Sequence, residues 1–208
     1  QILLIEEDIK TRISHVVVMG IGEPFDNYDN VMKFINIIND PKGINIGIRH
    51  ITVSTCGIVP KIREFTKEKA GVNLAISLHA PTDLVRDKIM PINKAYKIAD
   101  IMDAVRDYIT KTNRRVTFEY ILLKGVNDSE ECAIKLVHLL KGVNCYVNLI
   151  PYNETSHIEY KTSPKVTINR FYDILKEGNI NVTIRREFGS KVSAACGQLR
   201  SEQIGKES

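Results

Sequence analysis

The chain has no tryptophan, four cysteines, and only 12 glycines and 7 prolines among its 208 residues. So little Gly and Pro excludes collagen-like and low-complexity chains, and hydrophobic residues at 43% exclude a disordered one. The cysteines Cys56, Cys132, Cys145 and Cys196 are too sparse to staple a fold, and no two stand in CxxC or CxxxC spacing. This argues against a zinc or iron–sulfur site built from this chain alone, and for a reducing compartment. No apolar run approaches the roughly 18 residues of a membrane span. An initiator Met, a basic n-region and a secretory core are also missing. The opening Gln1-Ile-Leu-Leu-Ile-Glu-Glu-Asp8 reads as the middle of an amphipathic helix, so the expectation is a fragment whose front has been removed. Neither sign of charge dominates. With 29 basic and 25 acidic residues the formal charge is +4, compatible with an RNA partner without requiring one.

What the chain does have is alternation. Short β-branched runs at 15–19, 51–54, 73–78, 115–123, 146–150 and 181–185 are separated by helical patterns near 29–39, 60–69, 98–110 and 167–177. A further helix runs to about 140, with Asn127 or Asp128 able to cap it. No repeat or low-complexity stretch interrupts this order. Near-continuous apolar strands alternating with helices predict an α/β chain with a parallel sheet covered by helices. A partial (β/α) barrel is the first expectation and an open doubly wound sheet the second.

In such folds ligands bind at the carboxyl ends of the strands. The first strand delivers Gly20-Ile-Gly-Glu-Pro24, and the second delivers Ser54, Thr55 and Cys56. The third delivers Ser77, Leu78 and His79, and the fifth delivers Asn148 and then Asn153. Each alone is ordinary, since serines cap turns and a lone histidine is often structural. Together they mark one rim for a small molecule. The glycines fail the GxGxxG pattern at Phe25, and Glu23 would oppose a phosphate. A backbone edge beside Glu23 suits a cationic amine instead. A Schiff-base lysine is wanting: no strand core carries one, and Lys124 falls at a turn.

Cys196 lies among small residues beyond the basic pair Arg185-Arg186. It reads first as a small buried thiol, although the surroundings also permit a reactive thiolate, as do those of Cys56. Cys132 and Cys145 read as core. The polar stretch 153–164, with Arg185, Arg186 and Lys191, offers RNA backbone contacts or is simply a solvated loop.

Six segments then occur in one order: Val17-Val-Met-Gly-Ile-Gly-Glu-Pro24, Asp26-Asn-Tyr-Asp-Asn30, Val53-Ser-Thr-Cys-Gly57, Ala75-Ile-Ser-Leu-His-Ala-Pro81, Asn148-Leu-Ile-Pro-Tyr-Asn153 and Ala194-Ala-Cys-Gly-Gln-Leu199. In these the chain resembles the radical S-adenosylmethionine enzymes that methylate C2 of adenosine in 23S ribosomal RNA and transfer RNA. The resemblance runs from about residue 1 to 204. It implies a partial radical-SAM barrel over 1–208, including a C-terminal extension, with the first strand or strands missing. The cofactor contacts would be Gly22 and Glu23 through their carbonyls, then Ser54, Ser77, Leu78, His79 and Asn153, and the methyl-carrying cysteine would be Cys196. S-adenosyl-L-methionine and a [4Fe–4S] cluster are the implied cofactors, and a second cysteine that forms a disulfide during product release is also implied. The cluster motif, that second cysteine and an accessory N-terminal domain are expected before residue 1, so no metal ligand is assigned here and the chain alone is expected to be inactive. Implied partners are 23S rRNA, tRNA and a reductant protein, in the cytoplasm and away from membranes. Self-association is expected at the truncated sheet edge. A related adenosine-C8 methyltransferase and a non-catalytic RNA-binding barrel are the alternatives, with Glu23-Pro24 favouring C2.

Overall fold

A computed structural model describes residues 1–20, 22–68, 71–154 and 159–185. Its six strands are β1 (Val16–Val18), β2 (Ile51–Thr55), β3 (Asn73–Ser77), β4 (Val116–Leu122), β5 (Cys145–Pro151) and β6 (Val182–Ile184). They form one sheet in the order β1-β2-β3-β4-β5-β6, every pair parallel. Helix α1 (Ile2–Ile9) leads in. The connections carry α2 (Tyr28–Asn39), α3 (Val59–Glu68), α4 (Asp83–Ile89), α5 (Ile98–Thr112), α6 (Glu130–Leu140) and α7 (Lys165–Glu177). A doubly wound sheet reverses its strand order to put helices on both faces. Here the order never reverses, and right-handed crossovers place every connecting helix on one face. That is barrel topology.

Burial follows the same division. On the helix-covered face Ile51, Val53, Leu74, Ile76, Val116, Phe118, Tyr120, Val147 and Leu149 are buried. They pack against helix residues such as Ile35, Ile62, Val105, Leu136 and Phe171, in one continuous core. The alternate residues face the other way. Val17, Thr52, Asn73, Ser77, Thr117, Asn148 and Thr183 are half-buried or exposed, and nearly all of them are polar. The concave face is therefore open and wet. β1 pairs only with β2 among the described residues, and Val17 on its open face is 57% exposed. Helix α1 buries none of its residues, leaving Leu3, Leu4, Ile5 and Ile9 exposed. No helix among the described residues is long and apolar enough to cross a membrane.

Two local expectations are corrected. α6 is capped by Ser129, whose Oγ accepts the Cys132 N–H at 3.2 Å, and not by Asn127 or Asp128. Asn127 is instead fully buried. The sequence also hides α4, a seven-residue helix whose N-cap Thr82 accepts from Val85 N. Cys132 and Cys145 are buried, as expected of core residues.

The two-faced sheet makes a direct prediction from neighbouring residues of β4. Phe118→Ala should cost roughly 3–5 kcal/mol by urea denaturation, the price of a cavity under the helices. Thr117→Ala, one residue earlier on the open face, should cost about 0.5 kcal/mol or less.

Candidate functional site

Register brings the strand ends together. Ser54 lies opposite Ala75, and Ser77 lies opposite Glu119, which in turn is opposite Asn148 and then Thr183. Ala75 and Ser77 are two residues apart, so Ser54 and Ser77 face the same open side, on neighbouring strands. Ser54 is buried and Ser77 half-buried.

A buried guanidinium holds this rim. Arg86, on α4, is 0% exposed. Its Nη2 donates to the carbonyls of Cys56 (2.6 Å) and Ser77 (3.2 Å), its Nε to Leu78 O (3.1 Å), and its Nη1 to Asn93 Oδ1 (3.1 Å). The ends of β2 and β3 are thus tied to one side chain.

His79 continues the rim where β3 stops. Its backbone is left-handed, with φ 59°, and the N–H groups of Leu78 and His79 both reach Glu119 O. The turned ring then replaces the missing strand, since Nδ1 accepts the Ile121 N–H at 3.1 Å. Asn127 locks this turn by donating to His79 O (2.8 Å) and Ile121 O (2.7 Å) while accepting from Leu123 N (2.8 Å). With Nδ1 an acceptor, Nε2 carries the proton. Burial, and secondarily the nearby Arg86 charge, lowers the ring pKa from 6.5 to about 4. The imidazole is neutral.

At the β1 exit, the Glu23 carboxylate is already engaged. Oε1 accepts from Phe25 N at 3.0 Å and Oε2 from Cys56 N at 2.7 Å. The side chain thereby fastens the β1 loop to the end of β2, and Glu23 O already accepts the Asp26 N–H at 3.1 Å, so a ligand here meets the Gly22 carbonyl and the remaining lone pair of Glu23 O. Gly22 has φ 90° and open space where a side chain would be. Asn153 is exposed two residues past the end of β5, beside buried Tyr152.

Of the two readings the surroundings of Cys56 permitted, the unreactive thiol is favoured: burial first, then the adjacent Glu23 carboxylate, pushes it up to about 12. Cys196, Arg186 and Lys191 lie outside the described residues. Within the 153–164 stretch, Glu154 accepts from both Thr162 N and Lys161 Nζ, closing the loop on itself. Sequence reasoning missed Arg86, Asn127 and Asn93, all of which are fully buried.

The donor set fits an extended ligand with an amine at one end and hydroxyls at the other, running from the Gly22 carbonyl edge past Ser54 and Ser77. It does not fit a metal cluster. Among the described residues no three of His, Cys, Asp and Glu gather to hold a metal ion.

Comparison with known proteins gives a consistent picture. The Radical SAM superfamily matches residues 1–137. A protein of Spiroplasma citri described as a probable dual-specificity RNA methyltransferase RlmN is 57% identical over 208 residues, which is 99% of this chain and 60% of that protein. One so described from Enterococcus faecalis is 58% identical, covering 97% of this chain and 57% of its own length. The chain thus spans about three fifths of the curated relatives it matches. Among solved structures, a radical SAM methyltransferase from Sphaerobacter thermophilus superposes with a TM-score of 0.90 at 44% identity, over 94% of this chain and 57% of that one. A domain of pyruvate-formate lyase-activating enzyme from Bacteroides vulgatus has a TM-score of 0.63 at 18% identity, over 84% of this chain and 100% of that one, and shares the fold alone.

The His79 environment predicts a pH dependence. The unfolded imidazole takes up a proton below pH 6.5, whereas the folded one resists until about pH 4. Its contribution to stability is complete above pH 6.5 and is lost as pH falls through that window, by on the order of 2–3 kcal/mol. Urea titrations of wild type and His79→Gln should show the extra acid loss in wild type only. Parallel curves would disprove the assignment.

Proposed function

We propose, for a chain that belongs to the radical SAM superfamily, that its open strand-end face binds S-adenosylmethionine in an enzyme that methylates C2 of adenosine in 23S rRNA and tRNA. The observation that carries this reading is the shared rim. Ser54, Ser77 and His79 occupy adjacent parallel strand ends, and the Glu23 side chain ties the Gly22–Glu23 segment at the β1 exit to the end of β2. The carbonyls of Gly22 and Glu23 take the cofactor's amine. Ser54, Ser77, Leu78 and His79 hold its middle, and Asn153 closes the far end. Bound S-adenosylmethionine supplies an electrophilic methyl group. Adenine C2, flanked by two ring nitrogens, is too electron-poor to attack a sulfonium, so a better nucleophile must carry the methyl. We assign that task to the Cys196 thiolate: its sulfur forms the new bond to carbon as the sulfonium C–S bond breaks and keeps its electron pair.

Residues 1–208 then act as one catalytic barrel with a C-terminal extension. The [4Fe–4S] cluster needs ligands that the described residues do not group together. A reductant protein for that cluster, a disulfide during product release and a cytoplasmic setting belong to the same reading. The apolar side chains of α1 and the free edge of β1 support self-association of the isolated chain.

Three measurements test this. Ser77→Ala should weaken S-adenosylmethionine binding roughly tenfold, read by equilibrium dialysis. In an enzyme of the relatives' full length carrying this barrel, Cys196→Ala should abolish RNA methylation while cofactor binding persists. Normal methylation by that variant removes Cys196 from the chemistry, and a methyl on adenosine C8 in the wild-type product replaces the C2 assignment. Sedimentation of the 208-residue chain should show concentration-dependent dimers, diminished by Leu4→Glu. A strict monomer refutes the edge interaction.

A further inference from the structure

The foot of the sheet, where the strands begin, carries a row of arginines that the reading above does not use. Arg12 precedes β1, Arg49 sits in the 3₁₀ turn Ile48–His50 leading into β2, and Arg114 and Arg115 precede β4. Lys141 closes α6 just before β5. Because all the strands are parallel, these starts share one edge, and the four spacings from β1 to β5 cover about 19 Å.

Neighbouring groups hold the row in place. Arg12 Nη2 donates to Asn45 O at 3.0 Å. Asn73 Nδ2 donates to Arg49 O at 2.7 Å, and Asn73 Oδ1 accepts from Arg114 Nη2. Arg115 lies over the ring of Tyr146, 5.0 Å from its centre. By strand alternation Arg115 and Tyr146 share the open face with Thr117 and Asn148, as His15 and His50 share it with Val17 and Thr52. The two imidazoles stack, with centroids 4.3 Å apart and planes 16° from parallel. Flat rings therefore interleave with guanidinium groups.

These charges are unanswered. Among the described residues none of Arg12, Arg49, Arg114 and Arg115 forms a salt bridge, whereas Arg63 and Arg170 on the outer helices pair with Asp103 (2.6 Å) and Glu130 (3.1 Å). Carboxylates on the flanking elements have other partners: Glu6 accepts from Ile13 N, Asp40 from Lys42 N, and Asp107 pairs with Lys111. Cations collect at helix C-termini to complement the dipole, which accounts for Lys111 and Lys141. It does not account for Arg49, ten residues past the end of α2, or for Arg115, which turns onto the open face. Arg12, Arg49 and Arg115 are exposed.

A small anion would need these groups to converge, but they are strung along an edge. Such a row suits a polymer of phosphates with bases between them, since guanidinium forks match phosphate oxygens and flat side chains stack on unpaired bases. From Arg115 to Leu122 a strand rises about 23 Å, so one folded RNA can touch both the foot and the strand-end face.

We propose that the foot of the sheet is a second RNA contact, where Arg12, Arg49 and Arg115 hold backbone phosphates away from the base being modified. This rests on the reading of the chain as part of an RNA methyltransferase.

The test is fluorescence anisotropy of a labelled, unmodified tRNA transcript with an enzyme of the relatives' full length carrying this barrel. The double variant Arg49→Gln/Arg115→Gln should weaken binding roughly tenfold at 0.1 M salt and flatten the slope of log K against log salt by about 1.8. Arg63→Gln/Arg170→Gln removes the same charge from the outer helices and should stay within about twofold of wild type. S-adenosylhomocysteine affinity, measured calorimetrically, should be unchanged in the foot variant. Wild-type tRNA affinity in the foot variant overturns the proposal, as does an equal loss in both doubles or a parallel loss of S-adenosylhomocysteine binding. Polyglutamate that displaces the tRNA as well as unlabelled tRNA does makes the foot a surface for acidic protein and overturns it too. Failure of wild type to bind tRNA at all rejects the RNA reading itself, an outcome distinct from RNA binding that ignores the foot.

Discussion

The guanidinium of Arg86 sets where two strands stop. It is fully buried, and among the described residues no carboxylate accepts from it directly; its partners are three backbone carbonyls and the Asn93 amide oxygen, with Asp83 and Asp87 acting on it at longer range. A buried charge with no carboxylate in direct contact is expensive unless its donors find acceptors. The carbonyls at the ends of β2 and β3 meet that demand because they no longer have a ladder to serve. Burial lowers the pKa of Arg86, yet a guanidinium stays charged. Gly57 is a consequence. A Cβ there would come within 2.8 Å of Ile101 Cδ1 and 3.5 Å of Arg86 Nη2, and its φ is 107°. The turn after β2 must therefore be glycine for α4 and α5 to close over it.

With the strand ends fixed, the rest of the rim is assembled from side chains that substitute for backbone. The His79 ring takes the N–H that β3 would have paired, and Asn127 takes what the β4 turn leaves free. Glu23 binds the N–H of Cys56 across from β1. Each replaces a ladder hydrogen bond with a longer reach, so the loops are as constrained as the strands. A ligand that binds here meets groups already in place and loses little affinity to ordering them.

The six strands were legible to within a few residues because buried parallel strands are written as β-branched runs, as in His15-Val-Val-Val-Met19 and Ile51-Thr-Val-Ser54. Ser54, Ser77 and His79 could be placed on one rim for the same reason: parallel strands deliver their last residues to one edge. Helix α4 was not legible. It is seven residues long, and its one buried residue is an arginine, which local pattern assigns to solvent. Only carbonyls distant in sequence explain its burial. Asn127 and Ser129 both carry cap chemistry, and nothing local says which one the interior claims. The open question of Cys56 has the same origin, since neither its burial nor the Glu23 that further raises its pKa, 33 residues away in the chain, can be read locally.

The charges of the rim also bear on the proposed ligand. S-adenosylmethionine carries positive charge on both its amine and its sulfonium, whereas the rim already contains the cation Arg86. That charge faces carbonyl oxygens whose partial negative charge it engages, and it helps keep His79 from protonating beside it. A protonated His79 would add a second cation to the surface the ligand must approach. Glu23, at the β1 end, and Glu119, below Ser77, supply negative charge at two points along the ligand's path. Glu119 gains most from such a neighbour, since burial raises its pKa while only Asn148 and the distant Arg185 oppose the shift. A nearby sulfonium would favour its ionised form in return.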